Sequence, residues 1–197
     1  WVRVEPGMVC SELNALLKPH DVYFAPDPAT ANRANIGGMI ANNAAGMRSV
    51  QYGMTIDHVL ALDLALATGE VLILHTLDAQ QLAAKCALPD REGSIYRGLC
   101  NLIIHCKDEI RARYPKVIRR SGGYALDALV DADPWNLAKL ICGSEGTLGV
   151  ILEAKLRLTP LPRHSAVCLA HFDTLDAALR ATAHIVSVGT SAVEMID

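Results

Sequence analysis

GSEGTLGVILEAKLRL, residues 143–158, carries the clearest fold signal in the chain. Leu148, Val150, Leu152, Ala154, Leu156 and Leu158 alternate with Glu153, Lys155 and Arg157, and successive strand side chains point to opposite faces. The stretch predicts a long strand in a sheet with one packed face and one wet face, the antiparallel pattern. Ahead of it Gly143, Gly146 and Gly149 make a concave run of backbone amides suited to an anion or a base edge. A short helix over 136–141 leads into that loop, and Pro160-Leu161-Pro162 ends the strand.

A second alternating run begins at Val59. Leu60, Leu62, Leu64 and Leu66 face one way and Ala61, Asp63, Ala65 and Ala67 the other; Thr68-Gly69 turns the chain into a strand over 71–74. Val2-Arg3-Val4 reads as a short opening strand. A helix follows, with Ser11 as cap and Leu13, Leu16 and Leu17 on one face. Asp78 to Cys86 predicts a short helix. Ser94 is the expected cap of a long one carrying Ile95, Leu99, Leu102, Ile103, Cys106 and Ile110 up to Pro115. Past Pro162 a strand over 166–170, a helix over 175–187 capped by Thr174 and a strand from Ala192 complete a β-α-β order. The predicted class is α+β, a mixed and largely antiparallel sheet flanked by helices. The expected division is 1–162 for one domain and 163–197 for the beginning of another, and the chain reads as a piece of something longer.

Composition narrows the function. The 197 residues are 51% hydrophobic, 20% charged and 5% aromatic, with net charge −3, which excludes disorder, collagen and coiled coil. Lys and Arg are scattered, so there is no electrostatic footprint for nucleic acid. The longest uncharged run, between Arg33 and Arg48, is too short to span a bilayer. Six cysteines form no C-x-x-C pair and read as reduced thiols; seven histidines show no metal-ligand spacing. The G-x-G-x-x-G and G-x-x-x-x-G-K fingerprints, H-E-x-x-H and G-x-S-x-G are all missing.

The other informative stretch is Ile36-Gly37-Gly38-Met39-Ile40-Ala41-Asn42-Asn43-Ala44-Ala45-Gly46, followed by Tyr52-Gly53. It predicts a short helix over 36–45 stopped by Gly46. Its glycines admit a flat or phosphorylated ligand close to the backbone, Asn42 and Asn43 add donors and acceptors, and the alanines leave room. A tightly packed helix crossing a sheet would carry the same composition, so both readings stand at this point.

Pro26-Asp27-Pro28, the 36–46 segment, Tyr52-Gly53, Asp57-His58-Val59 and Gly143-Ser144-Glu145-Gly146-Thr147-Leu148-Gly149 together resemble the vanillyl-alcohol-oxidase-type (PCMH-type) FAD-binding domain. Tyr114-Pro115-Lys116, Arg119-Arg120 and Gly123-Tyr124-Ala125-Leu126-Asp127 match its branch of flavin-linked D-2-hydroxy-acid dehydrogenases, which includes D-lactate dehydrogenase, the flavin-binding component of glycolate oxidase, and D-2-hydroxyglutarate dehydrogenase. The chain is also similar to large members that join this domain to an iron–sulfur region.

The resemblance implies non-covalent FAD as cofactor, and an iron–sulfur cluster elsewhere in the parent protein. It implies cofactor contacts from Pro26, Asp27, Ile36, Gly37, Gly38, Asn42, Asn43, Gly46, Tyr52 and Gly53, with Gly143, Glu145, Gly146, Gly149, Val150 and Ile151 around the ribose and adenine. The family often has a hydroxyl residue where Ala29 stands; Thr30 is the expected substitute. Arg120 and Tyr124 are candidate neighbours of the substrate, and catalytic residues are expected in a ferredoxin-like cap domain beginning near residue 163. The implied activity of the parent is hydride transfer from a small-molecule D-2-hydroxy acid to the flavin, in the cytoplasm or at the periphery of the inner membrane, with a homodimer or other contact through a truncated face. Two alternatives remain: a noncatalytic flavin-fold binding protein, and another FAD enzyme on the same fold, such as a reductase of UDP-N-acetylenolpyruvylglucosamine.

Overall fold

A computed structural model describes residues 1–120 and 122–196. Its centre is a four-stranded antiparallel sheet in the order β1 (Val2–Val4), β7 (Val150–Leu156), β3 (Val59–Ala65), β4 (Val71–Leu74). The two strands foreseen from alternation are therefore the central pair, and Thr68-Gly69 makes the β3–β4 hairpin turn. Register sorts the faces. Leu62 lies opposite both Ala154 and Leu74, and Leu64 opposite both Ile151 and Leu72. Leu62, Leu64, Leu72, Leu74, Ala154 and Leu156 are all buried. Each buried leucine contributes about 1.5–3 kcal/mol through removal of apolar surface from water. Arg3, Asp63, Glu153 and Lys155 occupy the other face, where Arg3 pairs with Glu153 at 2.5 Å.

The sheet departs from simple alternation at two places. Between the Val59/Leu156 and Ala61/Lys155 pairs the register shifts, and Leu60 becomes the extra residue; between Asp63/Glu153 and Leu64/Ile151 Leu152 is extra. A bulge inserts one residue and reverses the phase of every side chain beyond it. Val59 is consequently buried where Leu60 was expected, and Val150 and Leu152 are exposed where a packed face was expected.

The helices are α1 (Cys10–Leu17), α2 (Ile36–Ala41), α3 (Ser49–Tyr52), α4 (Thr55–His58), α5 (Ala79–Ala87), α6 (Arg91–Arg113), α7 (Ala138–Ile141) and α8 (Leu175–Ser187); α1, α2, α6 and α7 supply buried residues to the core on the packed face of the sheet. Further short strands complete the elements: β2 (Val22–Tyr23) with β8 (Thr159–Pro160), and β5 (Thr76–Leu77) with β6 (Trp135–Asn136). Asn136 thus lies in a strand, and the helix read over 136–141 starts at Ala138.

Helix starts differ from the expected caps. Helix α1 begins one residue before Ser11, which leaves that hydroxyl inside the first turn; Leu13 and Leu17 are buried and Leu16 faces solvent. The long α6 begins at Arg91, because the Asp90 carboxylate accepts the Gly93 N–H at 3.0 Å and does the capping expected of Ser94. On α6 Tyr96 and Ile110 are buried, while Leu102 and Cys106 are exposed. Helix α5 carries Asp78 as its cap with a reciprocal bond from Gln81. Helix α8 has the expected bounds, with Thr174 accepting the Ala177 N–H at 3.2 Å.

The strands expected over 166–170 and from Ala192 are not formed among the described residues, and Asp197 lies outside them. A strand needs a partner for its N–H and C=O groups. Val167 and Leu169 are 91% and 77% exposed, with no strand beside them among the described residues.

Candidate functional site

Helix α2 ends at Asn42, before the expected stop at Gly46, because Asn43 turns into the left-handed region at φ 50°. Asparagine tolerates that conformation better than most residues. The turn is held from within: the Asn43 side-chain oxygen accepts the Ile56 N–H at 2.9 Å, and its amide nitrogen lies 3.9 Å from the Met54 sulfur.

The second glycine loop docks on this helix end. Gly143 N–H donates to the Ile40 carbonyl at 3.0 Å and Glu145 N–H donates to the Ala41 carbonyl at 2.8 Å. The last carbonyls of a helix have no partner within it; here a segment about a hundred residues away supplies two. Gly143 and Glu145 both take positive φ, 84° and 53°, which lets alternate amides face α2. Two amides foreseen as a ligand nest are thus engaged in joining the two glycine segments.

The junction borders a cavity of about 400 Å³ lined by Pro28, Asn42, Asn43, Ala44, Ala45, Met54, Arg119, Arg120 and Glu145. Of the residues singled out from sequence, Asn42, Asn43, Glu145 and Arg120 meet here. Pro28, Ala44, Ala45, Met54 and Arg119 join them; each except Met54 belongs to a motif already quoted, and Met54 carried no signal. Arg120 pairs with Asp127 and stacks 5.3 Å over the Tyr114 ring. Arg119 donates to the Gly46 carbonyl and has no carboxylate within ion-pair distance among the described residues. The wall therefore presents two cations, two amides and one carboxylate beside small and apolar side chains.

The remaining candidates lie around the cavity. Pro26 is buried, its carbonyl accepting the Cys10 thiol at 3.7 Å. Asp27 accepts the Arg48 N–H at 3.2 Å, with a 3.5 Å ion pair to the same residue. Thr30 is exposed; Ile36 is in the core. A Cβ on Gly37 would come within 2.6 Å of Pro6, one on Gly46 would overlap the Asp27 carbonyl, and one on Gly149 would lie 2.7 Å from the Ala65 carbonyl. Those three glycines serve packing. Gly38 and Gly146 have no protein atom within 4 Å of the same position. Gly53 closes α3, and the Tyr52 carbonyl accepts from buried His58 Nε2 at 2.8 Å. Val150 and Ile151 open β7 opposite Ala65 and Leu64. Tyr124 contacts the Thr147 hydroxyl at 2.8 Å and is 41% exposed.

An FAD molecule has an apolar ring system, a pyrophosphate and hydroxyl-rich linkers. Apolar Pro28, Ala44, Ala45 and Met54 beside donors from Asn42, Asn43, Arg119 and Arg120 fit that mixture, as one side of a larger cradle.

Residues 1–75 match the model of the FAD binding domain family. All of the chain aligns with D-2-hydroxyglutarate dehydrogenase of Pseudomonas putida, 38% identical over 198 residues and 20% of that protein. It aligns in full with the mitochondrial D-lactate dehydrogenase [cytochrome] of Arabidopsis thaliana, 33% identical and 26% of it. Over 99% of its length it aligns with the glycolate oxidase component GlcD of Escherichia coli, 29% identical and 29% of it. A solved alkyldihydroxyacetonephosphate synthase superposes on 82% of the chain and 21% of its own, at 20% identity and TM-score 0.48. The chain spans about a fifth of the length of the curated relatives it matches first. No described helix is long and apolar enough to cross a membrane.

Proposed function

We propose, from the match of residues 1–75 to the FAD binding domain family, that the chain forms part of the FAD cradle of a dehydrogenase acting on a small D-2-hydroxy acid. The observation that carries the reading is the docking of the 143–145 loop on the end of α2, which gathers both glycine segments and the two arginines around one cavity. When bound, FAD supplies a two-electron acceptor for the hydride of the substrate α-carbon. Asn42 and Asn43 donate to the polar edge of the bound group, and Arg119 and Arg120 hold negative charge beside it. Ala44, Ala45, Pro28 and Met54 give it a dry wall, and low dielectric strengthens those polar contacts.

In the same reading residues 1–162 are the FAD-binding unit and the segment after 162 begins the cap that supplies the catalytic residues. The protein works in the cytoplasm. Substrates named for the relatives, 2-hydroxyglutarate, lactate and glycolate, share a carboxylate beside the carbinol carbon. The hydroxy-acid branch is favoured over other FAD enzymes by Arg119-Arg120 and Gly123-Tyr124.

The test is a titration of the purified protein with FAD, followed by flavin fluorescence and by visible bands retained after desalting. Quenching that saturates, and that weakens at least tenfold in Arg119→Ala while Arg113→Ala behaves as wild type, is the expected result. A protein with intact far-UV circular dichroism that binds no FAD overturns the reading.

A further inference from the structure

Cys86 in the last turn of α5 and Cys100 in α6 bring their sulfur atoms within 3.8 Å of each other. Both thiols are free and half-buried, and neither lines the candidate cofactor cavity. That separation is van der Waals contact between sulfurs, and a disulfide needs about 2 Å. The two cysteines stand on helices that lie against each other. The turn between them is held in place. Arg97 Nη1 donates to the Cys86 carbonyl at 2.5 Å and to the Leu88 carbonyl at 2.6 Å, and Lys85 pairs with Glu92 at 2.6 Å across the same junction.

We propose that Cys86 and Cys100 are a modification site, a dithiol that closes to an intramolecular disulfide when a small-molecule disulfide oxidant such as oxidised glutathione is present. One thiolate attacks the glutathione S–S bond, giving a mixed disulfide and releasing one glutathione thiolate. The second thiolate attacks the protein sulfur of that mixed disulfide, forming the Cys86–Cys100 bond and releasing the second glutathione. The protein loses two electrons and two protons, and the oxidant gains both as two thiols. Closure ties the end of α5 to the body of α6.

The neighbourhood sets the rate. Burial, then the hydrogen bond to Cys86, pushes the Cys100 thiol up to about 11. Around the pair stand Lys85 and Glu92, which form an ion pair, the Arg97 guanidinium on the Cys86 carbonyl, and neutral Tyr96. With little thiolate at neutral pH the reaction is slow there and accelerates as pH rises from about 7 to about 9.

The experiment incubates the folded protein with oxidised glutathione, caps remaining thiols with N-ethylmaleimide and digests with trypsin. Cleavage after Lys85, Arg91, Arg97 and Lys107 puts the two cysteines on separate peptides, 86–91 and 98–107. A linked 86–91/98–107 species supports the proposal when it persists in Cys106→Ser, forms faster at about pH 9 than at about pH 7, and is undone by dithiothreitol. In Cys100→Ser the product is a mixed disulfide at Cys86. Recovery of Cys86 and Cys100 from the wild type only as separate alkylated or glutathionylated peptides overturns it.

Discussion

The side-chain oxygen of Asn43 accepts the backbone N–H of Ile56 at 2.9 Å, so a residue lining the cavity is also the clamp between the end of α2 and the start of α4. The other backbone group of Ile56, its carbonyl, accepts from Lys139 Nζ at 2.5 Å, and the same ammonium donates to the Val59 carbonyl at 2.9 Å. Lys139, on α7, thereby braces the clamp from the side of the core.

Asn43→Ala leaves the Ile56 N–H without an acceptor and puts alanine in the left-handed region. The expected loss is about 1–3 kcal/mol. Asn43→Asp keeps the acceptor and tolerates the conformation, so it recovers most of the stability but lacks the amide donor to a bound cofactor. Urea midpoints with an FAD titration on both variants separate the two roles. Equal stability of Asn43→Ala and wild type would refute the clamp.

Gly46 and Gly38 belong to the same motif and have opposite expected responses to alanine. At Gly46 a Cβ overlaps the Asp27 carbonyl and the backbone has to move, so Gly46→Ala unfolds at lower urea than wild type. At Gly38, exposed within α2 and with open space around it, alanine raises helix propensity by up to about 1 kcal/mol. The FAD-free Gly38→Ala protein is therefore at least as stable as wild type. Destabilisation there would mean that the space is filled by protein.

Asp90→Ala removes the side-chain acceptor from the N-terminus of α6 and costs about 1 kcal/mol, while Ser94→Ala, an exposed change within the helix, stays within about 0.5 kcal/mol of wild type. Thermal melts of the two variants measure this directly. The reverse order of midpoints would restore Ser94 as the cap.

Buried thiols predict alkaline weakening. Burial pushes Cys142 up from the ordinary 9.0 to about 12, and Cys10 to about 11. A thiol raised in the folded state ionises first in the unfolded chain. Stability is therefore unaffected below about pH 9 and falls between there and the folded-state values, by up to about 1.4 kcal/mol per pH unit for each proton. Lys139 acts in the opposite sense: burial lowers its value, so the folded-state ammonium loses its proton first and stability rises with pH until the unfolded one also titrates at its ordinary value. Cys142→Ala should flatten the decline between about pH 9 and about pH 11 in urea titrations; an unchanged slope would remove that thiol from the account.

Much of the fold was legible because it rests on local signals. The alternation at 148–158 and from Val59 located the two central strands, Thr68-Gly69 the hairpin, and Thr174 the start of α8. The bulges at Leu60 and Leu152 were not legible, because a bulge is a property of the pair and either strand alone shows unbroken alternation. The choice between Asp90 and Ser94 depended on where the preceding α5 releases the chain. Residues 166–170 have strand composition, and without a neighbouring strand among the described residues that composition forms none.

At the candidate site, the order of residues was enough to mark two glycine-rich segments and an arginine pair, and the family they resemble. What each of those residues does came from folding. Three-dimensional packing set Gly37, Gly46 and Gly149 against protein atoms, left Gly38 and Gly146 open, and turned the amides of Gly143 and Glu145 onto the carbonyls ending α2. The reason is physical: a glycine permits close approach by any partner. Whether that partner is the protein's own backbone or another molecule is set by which segments, from about twenty to about a hundred residues apart in sequence, meet in space.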